Sequence, residues 1–192
     1  MPIEMNSNDA FMLDGIRLLP TNTVSVFETE QGNIRVRMQK TDAGVISYFT
    51  VSYPNGTVAI FGSLTNASDC LAYPICKSTD VLGNVISFSY DCQDNRYRIT
   101  KIEYGSHITS DRPLASIIFD YKKRFDVLSG YEGGKKVKLS HLLDNIMCYH
   151  GTELLHTYSF VYKTDNVSLL TKIDCDRVMK EMEEKQINEK TE

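Results

Sequence analysis

Along most of this chain apolar and polar residues alternate one for one, the period at which successive side chains point to opposite faces of a strand. Aromatic and β-branched residues fill the apolar positions, and Gly, Asn, Asp and Pro interrupt the pattern about every ten residues, the cadence of antiparallel all-β proteins. Helical periodicity is nearly absent before Asp176. Ile34, Val36 and Met38 face one way and Arg35 and Arg37 the other. Val45, Ser47, Phe49, Val51 and Tyr53 then run to the turn Pro54-Asn55-Gly56, with a return strand from Thr57 to Phe61. An Asn-Gly pair tolerates positive φ, so this segment predicts a hairpin.

Leu64 to Thr79 is less regular and reads as a connection with a short strand near Tyr73 to Ser78. Asp80-Val81-Leu82-Gly83-Asn84 is a turn that feeds an internal repeat. Ser87-Phe88-Ser89-Tyr90, followed by Thr100-Lys101-Ile102-Glu103, returns 72 residues later as Ser159-Phe160-Val161-Tyr162, followed by Thr171-Lys172-Ile173-Asp174. Each copy predicts a β-hairpin with tyrosine at one strand end and isoleucine on the return, a unit suited to extending a sheet. Within the first copy the phase changes between Tyr97/Ile99 and Ile102/Tyr104, which predicts a β-bulge and a bent strand. Gly105 to Pro113 is a polar loop, Ile117, Phe119 and Tyr121 begin another strand, and Gly133-Gly134 turns it back. Val137 to Cys148 mixes periods.

These elements predict an all-β fold, an elongated, twisted antiparallel sheet built from consecutive hairpins with a short helical or disordered C-terminal tail. Residues 1–22 read as an N-terminal extension, 23–175 as a single β domain and 176–192 as a charged tail with few apolar positions.

Composition narrows the chemistry. A net charge of -4 and the lack of a Lys/Arg stripe interleaved with aromatics argue against nucleic acid as a partner. No apolar run approaches the roughly 20 residues of a transmembrane helix, and Met1 to Asn22 lacks the pattern of a signal peptide. Five cysteines stand at irregular spacings without a C-x-x-C pair, so no zinc ribbon is indicated. Cys70 and Cys76 could close a short loop, but free, partly buried thiols are the favoured reading.

His107, His141, His150 and His156 form no metal-binding pair, and Asp91, Asp94 and Asn95 lack the glycine and bidentate glutamate of a calcium loop. Neither a G-x-S-x-G elbow nor a phosphate-cradling glycine loop occurs. Arg124 and Asp126, one residue apart on a strand, share a face and suit a structural ion pair better than catalysis. No cofactor or metal is expected. The sequons at Asn55, Asn66 and Asn166 fall at turns, which already explains their polarity.

A series of motifs in a fixed order carries a resemblance. Asp9-x-Phe11-x-Leu13-Asp14-Gly15-x-Arg17-Leu18, Val26 to Glu30, Tyr48 to Val51 and Phe61-Gly62 come first. Asp80-x-x-Gly83-Asn84-x-Ile86-x-Phe88-x-Tyr90 and Ile102-x-Tyr104-Gly105 follow, then Phe119-x-Tyr121 with Arg124-x-Asp126 and Tyr131-x-x-Gly134. Leu142 to Ile146, then Tyr158-x-Phe160-x-Tyr162 with Leu170 to Ile173, close the series. Together they resemble the SpvB-like region of bacterial toxin-complex B proteins and their Rhs/YD-repeat relatives. Asn95 stands where the YD repeat usually has glycine, and the chain has no tryptophan although relatives commonly place one shortly before the D-x-x-G-N turn.

The resemblance implies a noncatalytic structural module, secreted or cell-surface-associated in a bacterium, whose hairpins join a shell around a toxic segment. Its implied partners are neighbouring strands of a larger protein, protein partners at exposed sheet edges, or a second copy. Its implied structural residues are Asp80, Gly83, Asn84, Phe88, Tyr90, Ile102, Tyr104, Arg124, Asp126, Tyr158, Phe160, Tyr162 and Ile173. Two other classes follow from the residues themselves. One is a carbohydrate-binding module using Tyr104, Tyr131 and Tyr149 as stacking platforms, and the other is a hydrolase joining His141 or His150 to an acid.

Overall fold

The computed structural model describes residues 10–62 and 72–177 of the 192-residue chain. Thirteen strands form one open antiparallel sheet in which each strand pairs with the one before and after it in sequence, with no crossover. They are β1 (Met12–Leu13), β2 (Ile16–Pro20), β3 (Val26–Thr29), β4 (Arg35–Lys40), β5 (Ile46–Ser52), β6 (Val58–Phe61) and β7 (Ile75–Thr79). The longer strands follow: β8 (Asn84–Gln93), β9 (Arg96–His107), β10 (Ala115–Glu132), β11 (Lys135–His150), β12 (Glu153–Thr164) and β13 (Ser168–Arg177). No helix occurs among the described residues, and the 178–192 part of the charged tail lies outside them.

The alternation on β4 works as its pattern predicts. Val36 and Met38 are buried with Leu13, Leu18, Phe49 and Val51, while Arg35 and Arg37 face solvent. Phe11, Phe27, Ile34, Ile46, Tyr53, Phe61 and Tyr73 pack around this cluster, and Phe49 meets the rings of Phe11 and Tyr73 edge to face at 5.1 and 4.8 Å. Leu13 and Leu18 lie in the segment read as an extension before the β domain, yet β1 and β2 are strands of the same sheet. Their short length hid them, because two to five residues leave little room for a period.

The predicted hairpin of β5 and β6 pairs Ser52 with Val58 through Phe49 with Phe61. Its turn is an Asx turn: Asn55 Oδ1 accepts the Thr57 amide at 3.0 Å, and only Gly56 of the Asn-Gly pair takes positive φ, +81°.

Burial changes character along the sheet. The early strands hold most of the buried apolar side chains, whereas β8 to β13, 10 to 18 residues long, contribute only Val85, Ala115 and Val137 among the described residues. Among the described residues the later strands form a single layer whose side chains are mostly half-buried.

Cys148 and Cys175 are free thiols, whereas Cys92 is disulfide-bonded, against the expectation of thiols throughout. Cys70 lies outside the described residues.

Candidate functional site

The repeated hairpin occurs three times, not twice. Phe88 stands opposite Ile102 and Tyr90 opposite Ile99; Phe119 opposite Ile146 and Tyr121 opposite Leu143; Phe160 opposite Ile173 and Tyr162 opposite Leu170. In each copy the register slips just before the tyrosine, so that one extra residue, Thr100, Asp144 or Thr171, bulges from the return strand. A bulge bends its strand and raises the local twist, so three at equivalent places curve the layer in a regular way. The expected bulge before Ile102 is thus one of a set.

The middle copy escaped the sequence because Asp144-Asn145 replaces the Thr-Lys of the outer copies and because its spacing differs, the phenylalanines standing at 88, 119 and 160. A search for Phe-x-Tyr answered by Ile/Leu-x-x-Ile would have found all three.

The tyrosines pin the copies together. Tyr121 Oη donates to the Ile99 carbonyl on β9, and Tyr162 Oη donates to the Leu143 carbonyl on β11, both at 2.8 Å. Each ring is also covered by a cation at 5.1 Å, Arg98 over Tyr121 and Lys122 over Tyr162. Each cation is paired with a carboxylate: Arg98 with Asp91 by two bonds of 3.0 and 2.6 Å, and Lys122 with Asp144 at 2.7 Å. Burial pushes both phenols above their ordinary range, which keeps them protonated as donors. Tyr90 instead packs edge to face against Tyr97 at 6.2 Å. Tyr158 sits between Ile146 and Cys175, and the neighbouring Cys175 raises its pKa.

The Asp80 turn explains its own motif. Asp80 Oδ1 accepts the amides of Leu82 and Asn84 at 2.9 and 2.8 Å, and Oδ2 accepts Asn84 Nδ2 at 2.8 Å. The Asn84 side-chain and backbone bonds hold the carboxyl below its usual range. Gly83 has φ +86°, and a Cβ there would stand 2.6 Å from His107 Nε2, so only glycine fits. The turn is thereby tied to the end of β9, where the Ile108 amide donates to the Gly83 carbonyl at 2.9 Å. Tyr104 lies three residues back on β9, opposite Ile86 and Ala115.

Arg124 and Asp126 form the bidentate ion pair, with bonds of 2.9 and 2.7 Å, at 6% and 7% side-chain exposure. They occupy an irregular stretch of β10 between the pairs Lys123 with His141 and Leu128 with Leu139. Asp126 also accepts the Ser168 amide and hydroxyl, each at 2.7 Å, which binds β10 to the start of β13 across two intervening strands. Arg124 and these bonds hold the Asp126 carboxyl far below the usual carboxylate range. The polarity of this stretch is inverted, since Phe125 and Val127 are 57% and 48% exposed while the charges are buried.

A second set of bonds joins the β8/β9 tip to β11. Asp94 and Asn95 take φ +56° and +63°, the two positive angles of a tight type I′ hairpin turn. The Lys138 amide donates to the Asp94 carbonyl at 3.2 Å, and Asn95 Nδ2 donates to the Lys136 carbonyl at 2.8 Å.

Around His141 the described residues do not assemble a catalytic serine. Ser140 Oγ donates to Asp94 Oδ2 and lies 2.8 Å from His141 Nδ1, so the serine stands between imidazole and carboxylate. A hydroxyl whose proton goes to Asp94 accepts from Nδ1–H, which leaves that nitrogen unable to act as its base. Asp91 and Asp94 point to different partners, and no group of three His, Cys, Asp or Glu among the described residues could hold a metal ion. Nor do the tyrosines make a common platform. Tyr104 pairs with Ala115 while Tyr149 pairs with Ser116, which places them on opposite faces of the sheet.

No protein-family model matches the chain, and no curated protein does. Solved structures do match. The N-terminal domain of the effector protein SpvB from Salmonella typhimurium superposes with a TM-score of 0.77 at 15% identity, covering 92% of this chain and 83% of that one. TcdB2-TccC3 superposes at 0.73 with 16% identity over 91% of this chain, but only 13% of its own length is covered. The Tc holotoxin pore of Photorhabdus luminescens gives 0.65 at 15% identity, with 91% and 11% covered. This chain has the fold of the SpvB N-terminal domain and of a segment of these much longer toxin chains, in agreement with its motif order.

Proposed function

We propose that this chain is a noncatalytic wall segment of an SpvB-like, Rhs/YD-type bacterial protein, secreted or displayed at the cell surface. Its hairpins contribute to a shell or scaffold that encloses or presents a toxic segment. The observation that carries this reading is the single-layer construction of β8 to β13, whose long strands bury only Val85, Ala115 and Val137 among the apolar side chains of the described residues. A globular domain of this size ordinarily covers such a sheet with a second layer. A wall leaves its faces to neighbours. The fold likeness to SpvB and to a segment of TcdB2-TccC3 supports the same reading. The residues of this wall are the hairpin positions Phe88, Tyr90, Ile102, Phe160, Tyr162 and Ile173, the Asp80-Gly83-Asn84 turn and the Arg124–Asp126 clasp.

Tyr131, 75% exposed, favours a carbohydrate-binding module instead. A glycan array with the whole chain and with Tyr131→Ala separates the two. A wall segment gives no selective signal, and a selective signal lost in Tyr131→Ala overturns the wall reading.

A further inference from the structure

β13 ends the sheet, pairing with β12 on one side and with no described strand on the other. Such an edge presents a row of unpaired amides and carbonyls, a template for another strand. Proteins blunt edges with charged side chains, proline or bulges, and β13 carries the charges of Lys172, Asp174, Asp176 and Arg177 and the bulge at Thr171, so a partner strand has to pair those charges. Ser168–Arg177 contains neither proline nor glycine, and beyond the Thr171 bulge the six residues Lys172 to Arg177 pair with β12 without interruption. Lys172 and Asp174 share one face, joined at 2.6 Å, and Ile173 occupies the other at 53% exposure.

We propose that β13 pairs antiparallel with β13 of a second copy of this chain, across a two-fold axis at Ile173. The proposal rests on the wall reading, which makes open edges the contact surfaces of the molecule. Charge pattern chooses both the partner and the register. With the axis at Ile173, Lys172 of each copy faces Asp174 of the other, giving four alternating charges on one face. The opposite face brings Ile173 against its own counterpart. The alternative registers are less well matched. An axis at Lys172 opposes two lysines, and one at Asp174 opposes two aspartates at its centre although it sets Lys172 against Asp176. An axis at Cys175 sets Asp174 against Asp176, and one between Asp174 and Cys175 sets Lys172 against Arg177. Axes on either side of Ile173, between residues, put no opposite charges face to face. An axis between Cys175 and Asp176 sets Asp174 against Arg177 but overlaps only the four residues 174–177 of the described strand, whereas the Ile173 axis overlaps 169–177. Directly opposed charges of unlike sign stabilise a strand pair and like charges destabilise it, so the Ile173 register, which pairs unlike charges over the longer overlap and opposes no like ones, is favoured.

The test is the association state of the full chain by sedimentation equilibrium, over roughly 1 to 500 μM, the range of a modest edge contact. The wild type is expected to be a monomer–dimer equilibrium. Lys172→Glu or Asp174→Lys alone raises the dissociation constant about tenfold or more, and the two together return it to within about threefold of wild type. In a Cys148→Ser/Cys175→Ser background, Ile173→Cys cross-links to a dimer on mild oxidation while Lys172→Cys does not, because only the axial residue faces itself. These side chains are exposed, so circular dichroism should show the fold retained, and the cross-link decides the matter if a charge variant is unstable. A chain that stays monomeric throughout, a dimer indifferent to the charge exchange, or failure of the Ile173→Cys cross-link overturns the proposal. A monomer without glycan binding leaves the wall reading standing, whereas a selective glycan signal overturns that reading whatever the association state.

Discussion

The Asp126 carboxylate on β10 holds Ser168 at the start of β13 by two bonds of 2.7 Å, one from the backbone amide and one from the hydroxyl. The same carboxylate takes both bonds of the Arg124 guanidinium, so a nearly buried anion meets four donors and a nearly buried cation meets its anion. Removing one partner of such a pair leaves the other charge desolvated and uncompensated. Asp126→Asn should lower the melting temperature by about 5–10 °C, and Ser168→Ala, which removes one charge-assisted bond, by about 4 °C. Thermal unfolding followed by circular dichroism measures both.

The same clasp sets an acid limb. The Arg124 bonds, then those of Ser168, depress the folded pKa of Asp126, so its contribution is full above the unfolded carboxylate value, about 3.9. It is lost as pH falls through the depressed folded value. Asp80 behaves in the same sense through its Asn84 bonds. Melting temperature should therefore fall with increasing steepness below about pH 4, and Asp126→Asn should flatten that slope while leaving the region from pH 5 to 8 parallel to wild type. An unchanged acid slope in Asp126→Asn would refute the assignment.

Tyr121 and Tyr162 each donate to a carbonyl of the preceding strand beside a bulge. Phenylalanine at either place keeps the ring and its cation but removes the donor, leaving a strand carbonyl short of one bond. Each substitution should cost about 1 kcal/mol in urea unfolding, with the m-value unchanged.

At Gly83 the constraint is doubled, because φ is +86° and a Cβ would press on His107 Nε2. Gly83→Ala should destabilise by about 2 kcal/mol, and amide exchange should rise first in the Asp80–Asn84 turn and at the end of β9.

Local pattern made the hairpins legible, and long-range geometry remained hidden. The β5/β6 hairpin and the bulge at Thr100 could be read because alternation and its phase slip are properties of adjacent residues. The face shared by Arg124 and Asp126 was legible for the same reason. Their third partner, Ser168, was not, since 42 residues separate it from Asp126 and a serine beside a turn carries no distinctive signal. Nor could alternation reveal that the polarity of 124–127 is inverted, because a period states which residues share a face but not which face meets solvent. The docking of Asp94 and Asn95 on β11 was hidden likewise, as both residues already suit a hairpin turn.

That inversion yields the sharpest contrast between the two halves of the sheet. Phe125 and Val127 are large apolar residues facing solvent, whereas Val51 on β5 is 1% exposed within the packed cluster. If the later strands are a wall awaiting a neighbour, truncating their outward residues removes little that the isolated chain uses. Phe125→Ser and Val127→Ser should each change stability by no more than about 0.5 kcal/mol, while Val51→Ala should cost about 2 kcal/mol. The serine variants should also bind less of an apolar dye such as ANS than the wild type, since they remove exposed patch rather than core. Urea unfolding and dye titration on the same samples measure both effects. A loss at Phe125 comparable to that at Val51 would mean that this side chain is packed in solution, and would count against an open outer face on β10.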